Sequence, residues 1–232
     1  DGTGLGTDGT IWGGEFLVCT RAEFRRVAWL RPFPLVGGDA AAREPRRAAL
    51  GVLREMGSNH VPPGCSKAEL SVLDGMLAEG FNVVRTSSAG RLFDAVASLL
   101  GVCQKMSHEG QAAMRLEALA GNMPAEAYPF AWSGDALDWG PMVSAMLSSG
   151  EPAALAAARF HATLAEMMVA AARRAGLRDV CLSGGCFQNR RLLATATKRL
   201  EEEGFRVGRH REIPPNDAGI CLGQLAVAAA RA

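Results

Sequence analysis

The sequence predicts an α/β fold built on a mixed sheet. Its opening residues read as an apolar hairpin. Its last fifty or so read as strand, helix, strand, loop and helix. The long middle carries apolar residues at helical period, broken by Gly and Pro loops. That order of elements belongs to folds in which helices flank a sheet rather than to an all-α or all-β domain.

Each element has its own reason. Ile11-Trp12, Phe16-Leu17-Val18-Cys19 and residues 24–33 are rich in β-branched and aromatic residues. The last two form a hairpin turning near Thr20-Glu23, and Pro32 and Pro34 end it. A Gly turn at 37–38 leads to Asp39 and a helix around 43–56. Residues 57–65 are a Pro/Gly loop. Ser66 followed by Glu69 is a capping box opening a helix to about Ala78. Asn82–Arg85 is a short strand. Ser87 and Ser88 precede a helix whose Leu92, Phe93, Val96, Leu99 and Leu100 share a face, with Gly101 as its stop. Further helices are expected over 111–120, 136–148 and 152–175, with 121–134 a loop. Val180–Leu182 is a strand closing on Ser183-Gly184-Gly185. A helix over 188–203, a strand at Phe205–Val207, a loop at 213–217 and a helix over 218–231 complete the chain.

Composition narrows the function classes. The 232 residues are 48% hydrophobic and 21% charged, with a net charge of +1. That is a globular balance, without the basic excess expected of a nucleic-acid binder. No apolar run is long enough for a membrane span, and no basic segment precedes an apolar one at the start. Neither a nucleic-acid nor a membrane partner is expected. Arg supplies 22 of the 25 basic residues, a bias of composition rather than of chemistry. The six cysteines are scattered without a C-x-x-C pair, which suits a reducing cytoplasm and neither a disulfide scaffold nor a zinc finger.

Four segments could carry chemistry. Asp1-Gly2-Thr3-Gly4-Leu5-Gly6-Thr7-Asp8-Gly9-Thr10 has Gly spacing superficially like a dinucleotide fingerprint, but a strand follows it where a helix is required. Such a turn suits a phosphate cradle of backbone N–H groups and Thr hydroxyls, with an Asp holding a cation. It equally suits a plain Gly-rich turn. Leu182-Ser183-Gly184-Gly185-Cys186-Phe187-Gln188-Asn189 runs strand into Gly-Gly into helix, placing bare backbone at a positive helix end. There Asn189 falls in the first helical turn, facing a ligand, and Cys186 is more simply a small packed residue than a nucleophile. Pro214-Pro215-Asn216-Asp217 puts Asp217 at a helix start, where Asp is a common cap. In Ser87-Ser88-Ala89-Gly90-Arg91-Leu92-Phe93-Asp94, Asp94 either meets a ribose or is a solvated acid. His161 lies on a helix as a structural hydrogen bonder. His60, His108 and His210 fall in loops or on the surface.

A phosphate hairpin early and a Gly-Gly loop late is how actin-like ATPase folds clamp a nucleotide between two lobes. The segments "DGTGLGTDGTIWGGE", "PLVGGDAAAREPRR", "TSSAGRLFDAVASLLG", "EGQAAMRLEALA", "FHATLAE", "LSGGCFQNRRLL" and "PPNDAGICLGQ" together resemble the HypF family of carbamoyltransferases, which mature [NiFe]-hydrogenases. The resemblance spans nearly the whole chain. It covers the TsaD-like C-terminal part of such proteins, without their acylphosphatase, zinc-finger and YrdC-like modules.

The resemblance implies an actin-like ATPase (ASKHA) fold of the TsaD-like type, N-terminally truncated. It implies carbamoyl adenylate, made from carbamoyl phosphate and ATP, as the bound donor. The acceptor would be the C-terminal cysteine thiol of HypE. Gly2, Thr3 and Gly4 would contact phosphates, Gly184, Gly185 and Asn189 the nucleoside, and Asp94 the ribose. Asp1 and Asp217 would hold a divalent metal (iron, zinc or magnesium) with two His that precede Asp1 in the family. A further acid or Arg near Gly110 stays open between Arg115 and Glu117. Alternatives are a TsaD-like tRNA threonylcarbamoyl transferase, a small-molecule O-carbamoyltransferase, and an inert nucleotide-binding fragment. An apolar face left uncovered would favour dimerisation of the isolated chain.

Overall fold

The computed structural model describes residues 4–231. In chain order the strands and helices are β1 (Gly4–Leu5), β2 (Ile11–Trp12), β3 (Glu15–Cys19), β4 (Phe24–Leu30), β5 (Phe33–Val36), α1 (Asp39–Arg43), α2 (Pro45–Glu55), α3 (Lys67–Glu79), β6 (Val83–Thr86), α4 (Ala89–Leu99) and α5 (Gln111–Ala120). They continue with β7 (Ala131–Ser133), β8 (Ala136–Asp138), α6 (Gly140–Ser148), α7 (Ala153–Ala175), β9 (Asp179–Leu182), α8 (Arg190–Glu202), β10 (Arg206–Arg209) and α9 (Ile220–Arg231). Short 3-10 turns at Gly185–Gln188 and Asp217–Gly219 precede α8 and α9.

Local chemistry sets the helix starts. The Ser66 hydroxyl accepts from Glu69 N and opens α3; the Ser88 hydroxyl accepts from Arg91 N and opens α4. Each satisfies a backbone donor that the helix cannot. The β3–β4 hairpin pairs Glu15 with Trp29 through to Cys19 with Phe24. Its turn is tied by Thr20, whose hydroxyl accepts from Ala22 N and Glu23 N.

Three sheets result. One has the order β1-β2-β6-β5, a second β3-β4-β8-β7, and the third is the parallel pair β10-β9. The mixed sheet expected from sequence is therefore present, divided among three units. The central core joins the first two: Phe33 meets Trp139 edge-on at 5.7 Å, and Phe93 meets Phe160 edge-on at 4.8 Å. The β9–β10 pair packs through Val180, Leu182 and Val207 on a second cluster with Val169 and Leu200. Leu92, Val96, Leu116 and Leu164 fill the space between, on α4, α5 and α7. Each such large side chain contributes roughly 1.5–3 kcal/mol of burial.

Two readings need correction. Pro34 does not stop a strand; it lies within β5, opposite Arg85. β5 is the outer strand of its sheet, so the N–H that Pro lacks has no neighbour to serve there. Residues 131–138 are not loop and helix start but the pair β7 and β8. The end of β4 templates β8, with Trp29 beside Ala136 and Leu30 beside Leu137. Trp139 Nε1 then donates to Arg31 O at 2.7 Å, and α6 begins only at Gly140. A strand that owes its existence to a partner a hundred residues away carries little local signal. No helix among the described residues is long and apolar enough to cross a membrane.

Candidate functional site

The opening hairpin is tied down by its own side chains. Asp1, Gly2 and Thr3 lie outside the described residues. Gly4 sits exposed in β1 opposite Trp12. The turn beyond closes on itself, with Gly6 N donating to Thr10 O at 2.8 Å. Asp8 Oδ1 accepts from Thr10 N, Thr10 Oγ1 and Trp12 Nε1, and Oδ2 pairs with Arg26 at 2.8 Å. Desolvation alone would raise this carboxyl, but those donors and the Arg26 charge hold it down at about 2. Thr10 and Asp8 are thus taken up inside the hairpin. The reading of an Asp in this turn as a cation holder does not apply to Asp8.

Next to it is a carboxylate that sequence reasoning passed over. Glu15 Oε2 accepts from Gly13 N at 2.5 Å and Gly14 N at 2.8 Å. Its Oε1 accepts from Ser87 Oγ and from Arg26 Nη2 at 2.9 Å. Arg26 in turn lies over both Trp12 and Trp29, 4.2 and 4.3 Å from their ring centroids. A side chain at Gly14 would strike Ser87 O at 2.3 Å, so the turn and the start of α4 approach as only glycine allows. The motif "WGGE" held this signal. Its partners Arg26 and Ser87 did not follow from local pattern.

The late loop is held from three sides. Gly184 adopts φ +104°, a conformation costly for any side-chain residue. Its N–H donates to Pro215 O at 2.8 Å, which brings the Gly184–Gly185 turn to the segment carrying Asp217. Phe187 N returns to Gly184 O at 3.0 Å, closing the 3-10 turn. Asn189 caps α8: its Oδ1 accepts from Leu192 N at 2.8 Å, while its Nδ2 lies 2.9 Å from His161 Nε2. It is 8% exposed and is the N-cap of α8 rather than a residue of its first turn. Glu117 Oε1 accepts from Arg191 N at 3.2 Å, so Glu117 serves the start of α8. The cap of the Asp217–Gly219 turn is Asn216, which accepts from Ala218 N, leaving the exposed Asp217 carboxylate outside that capping role.

Asp94 is not a solvated acid. It is 1% exposed, on the core side of α4, with Oδ2 2.9 Å from Arg91 Nη1. The pair is close without an aligned hydrogen bond on that oxygen. Burial raises the carboxyl to about 6, against the opposing pull of Arg91. Arg91, its partner, lines a cavity of ≈290 Å³ together with Arg43, Ser107, His108 and Glu109.

A second cavity, of ≈210 Å³, connects the hairpin and the Gly-Gly loop. Gly13, Gly14 and Ala89 line one end together with Ser183 and Cys186. Most of the rest of its wall is apolar, from Phe16, Leu30, Met167 and Leu182 among others, with Glu15 and Asp179 as its acidic residues. The structure thus brings Gly184, Gly185, Asn189 and the Asp217 loop together, near the hairpin's end. Asp94 stands apart, paired with Arg91.

Residues 1–224 match the family described as "Carbamoyltransferase, Kae1-like Domain, second subdomain". The chain belongs to the HypF family. Carbamoyltransferase HypF of Rhodobacter capsulatus is 46% identical over 238 residues, covering 100% of this chain and 32% of that protein. The HypF of Synechocystis is 37% identical, over 97% of this chain and 33% of that protein. The chain therefore spans about a third of the length of these two relatives. A crystal structure of full-length HypF in the phosphate- and nucleotide-bound form superposes with a TM-score of 0.88 at 33% identity, covering 100% of this chain and 32% of that one. HypF of T. kodakarensis superposes at 0.82 and 31% identity, over 98% of this chain and 32% of that one. The α/β fold expected from sequence is the HypF Kae1-like fold.

Proposed function

We propose that this domain is the carbamoyl-transfer unit of a HypF-type enzyme, binding carbamoyl adenylate and delivering its carbamoyl group to the C-terminal cysteine thiol of HypE. The observation that carries the reading is the Gly184–Gly185 turn, bonded to the Pro215 loop, whose neighbours Ser183 and Cys186 line a cleft shared with Gly13 and Gly14. A relative that superposes along the whole chain is described as nucleotide-bound, which supports a nucleotide here.

The donor is formed elsewhere in the longer protein from carbamoyl phosphate and ATP. It is already activated, since AMP is a good leaving group. The acceptor thiolate attacks the carbamoyl carbon; a carbon–sulfur bond forms and the carbon–oxygen bond to the adenylate phosphate breaks. AMP departs with the electron pair, and the thiol proton passes to solvent. No protein nucleophile is needed. The domain's part is to hold the adenylate while water is kept out. Gly184 and Gly185 allow close approach of backbone to nucleoside, Asn189 fixes their turn, and Gly2, Thr3 and Gly4 would meet the phosphate. Asp94 would meet the ribose only with Arg91 displaced.

The resemblance also implies a divalent metal held in part by Asp1 and Asp217. Asp217 offers a hard carboxylate suited to such an ion. Among the described residues no group of three or more His, Cys, Asp or Glu side chains gathers to hold one. These residues alone do not make the centre, and no step here is routed through it.

The reading is tested by calorimetric titration with ATP and with a non-hydrolysable carbamoyl adenylate analogue, with and without Mg²⁺, for the native chain and Gly184→Ala. Saturable binding weakened about tenfold or more in Gly184→Ala is expected, because the substitution strains a φ of +104°. Equal binding by both would remove the Gly-Gly turn from the site. In a HypF-length protein carrying this domain, mass spectrometry should find one carbamoyl group added to HypE, and none when its C-terminal cysteine is replaced.

A further inference from the structure

His161 is fully buried on α7, yet the transfer chemistry makes no use of it. It stacks edge-on against Phe93 and Phe160, at 5.3 and 5.8 Å. Its Nδ1 lies 2.7 Å from Ala157 O. A carbonyl only accepts, so the ring proton is on Nδ1 and Nε2 carries a lone pair. That lone pair faces Asn189 Nδ2 at 2.9 Å, and the Asn189 amide is fixed in turn: Nδ2 toward the imidazole, Oδ1 toward Leu192 N at 2.8 Å. A flipped amide would set oxygen against the Nε2 lone pair and NH₂ against the Leu192 N–H, two repulsive contacts in a buried place.

We propose that His161 is a positioning residue for the nucleotide loop, acting through Asn189. Its neutral imidazole sets the amide, the amide caps α8, and the cap fixes the 3-10 turn that carries Gly184 and Gly185. The sequence of bonds is continuous. Asn189 N donates to Cys186 O at 3.1 Å, Phe187 N to Gly184 O at 3.0 Å, and Gly184 N to Pro215 O at 2.8 Å, next to the Asp217 loop. The amide nitrogen of Asn189 thereby faces the His161 imidazole. The neutral state is favoured by burial, which pulls the imidazole down to about 4, with Arg191 as the charged group acting in the same direction. The inference rests on the nucleotide reading for its functional consequence and on geometry alone for its structural part.

Asn189→Asp and His161→Phe separate the two. Aspartate keeps the cap to Leu192 but turns a second carboxylate oxygen on Nε2, which must then carry a proton. NMR titration should find the His161 midpoint of Asn189→Asp clearly raised above the native value of about 4, the effect of an adjacent carboxylate. This variant reads the structural part; the nucleotide consequence is read from His161→Phe, which leaves Asn189 itself in place. His161→Phe strands the Asn189 amide. It should speed hydrogen exchange at the Leu192 amide and weaken ATP binding about tenfold, the scale of one lost buried hydrogen bond. His161→Gln, which can still offer an acceptor, should recover part of that loss.

A His161 titration unmoved by Asn189→Asp overturns the proposal, as does Leu192 exchange unchanged in His161→Phe. ATP binding unchanged in His161→Phe while Leu192 exchange speeds up would overturn the functional part. If the native chain binds no ATP, the nucleotide reading fails while the titration and exchange results still decide the positioning role.

Discussion

Glu15 is one side chain holding two parts of the site in place. Its carboxylate receives Gly13, Gly14, Ser87 and Arg26, and its side chain is only 7% exposed. Glu15→Gln replaces one acceptor oxygen by an NH₂ group facing donors, so a buried donor loses its partner whichever way the amide turns. The expected cost is about 2 kcal/mol, read from urea unfolding. A change below about 0.5 kcal/mol would mean that the turn and α4 hold together without it. At this scale the sequence disclosed residue types better than residue partners. Gly184 and Gly185 were legible because a Gly pair between strand and helix has a backbone reason. Ser66 and Ser88 were legible as caps. Asn189 is legible as part of that loop, but its partner His161, 28 positions earlier, is not. Asp94 reads as polar in a helix pattern, and only the packing of α4 against the core reveals that it is buried.

Burial of Asp94 gives α4 a pH dependence opposite to that of most carboxylates. Its folded-state value, about 6, lies above the ordinary 3.8, so the folded chain binds a proton more tightly than the unfolded chain does. The stability this contributes is full below 3.8 and is lost as the pH rises through about 6. The difference between those values corresponds to about 3 kcal/mol. Asp94→Asn cannot titrate, so its unfolding free energy should lack that fall. The gap between native chain and variant, measured in urea at about pH 4 and about pH 7, should change by about 2–3 kcal/mol in favour of the variant at the higher pH. Asp8, held at about 2, titrates below this window and is common to both chains. An unchanging gap would mean that the Asp94 carboxyl titrates as if exposed. Among elements, those with their own caps or hairpin turns were readable from local pattern. β7 and β8 were not, because their pairing depends on β4, and β5 was hidden by a proline that an outer strand tolerates.

At the scale of the molecule, the three sheets leave an unfinished seam. β3 pairs only with β4, and β9 only with β10, among the described strands. Both strands line the same apolar cleft, so unpaired backbone edges border an apolar wall. α9 adds exposed apolar surface: Ile220, Leu222 and Leu225 are 55%, 51% and 68% exposed, and none of its residues is buried. Order along the chain revealed strands and helices; which edges remain open depends on how distant strands pair. Exposed apolar surface of this kind, together with unpaired strand edges, favours association with another chain. The isolated 232-residue chain is therefore expected to self-associate, with light scattering rising from monomer toward dimer across the micromolar range. Leu222→Glu combined with Leu225→Glu should shift that equilibrium back toward monomer, because a charge cannot be covered without cost. The two substitutions should leave the unfolding free energy nearly unchanged, since neither side chain is buried in the single chain. A native chain that stays monomeric at the highest concentration would show that backbone edges and α9 together are too weak a contact. A dimer indifferent to the α9 substitutions would place the contact on the β3 and β9 edges instead.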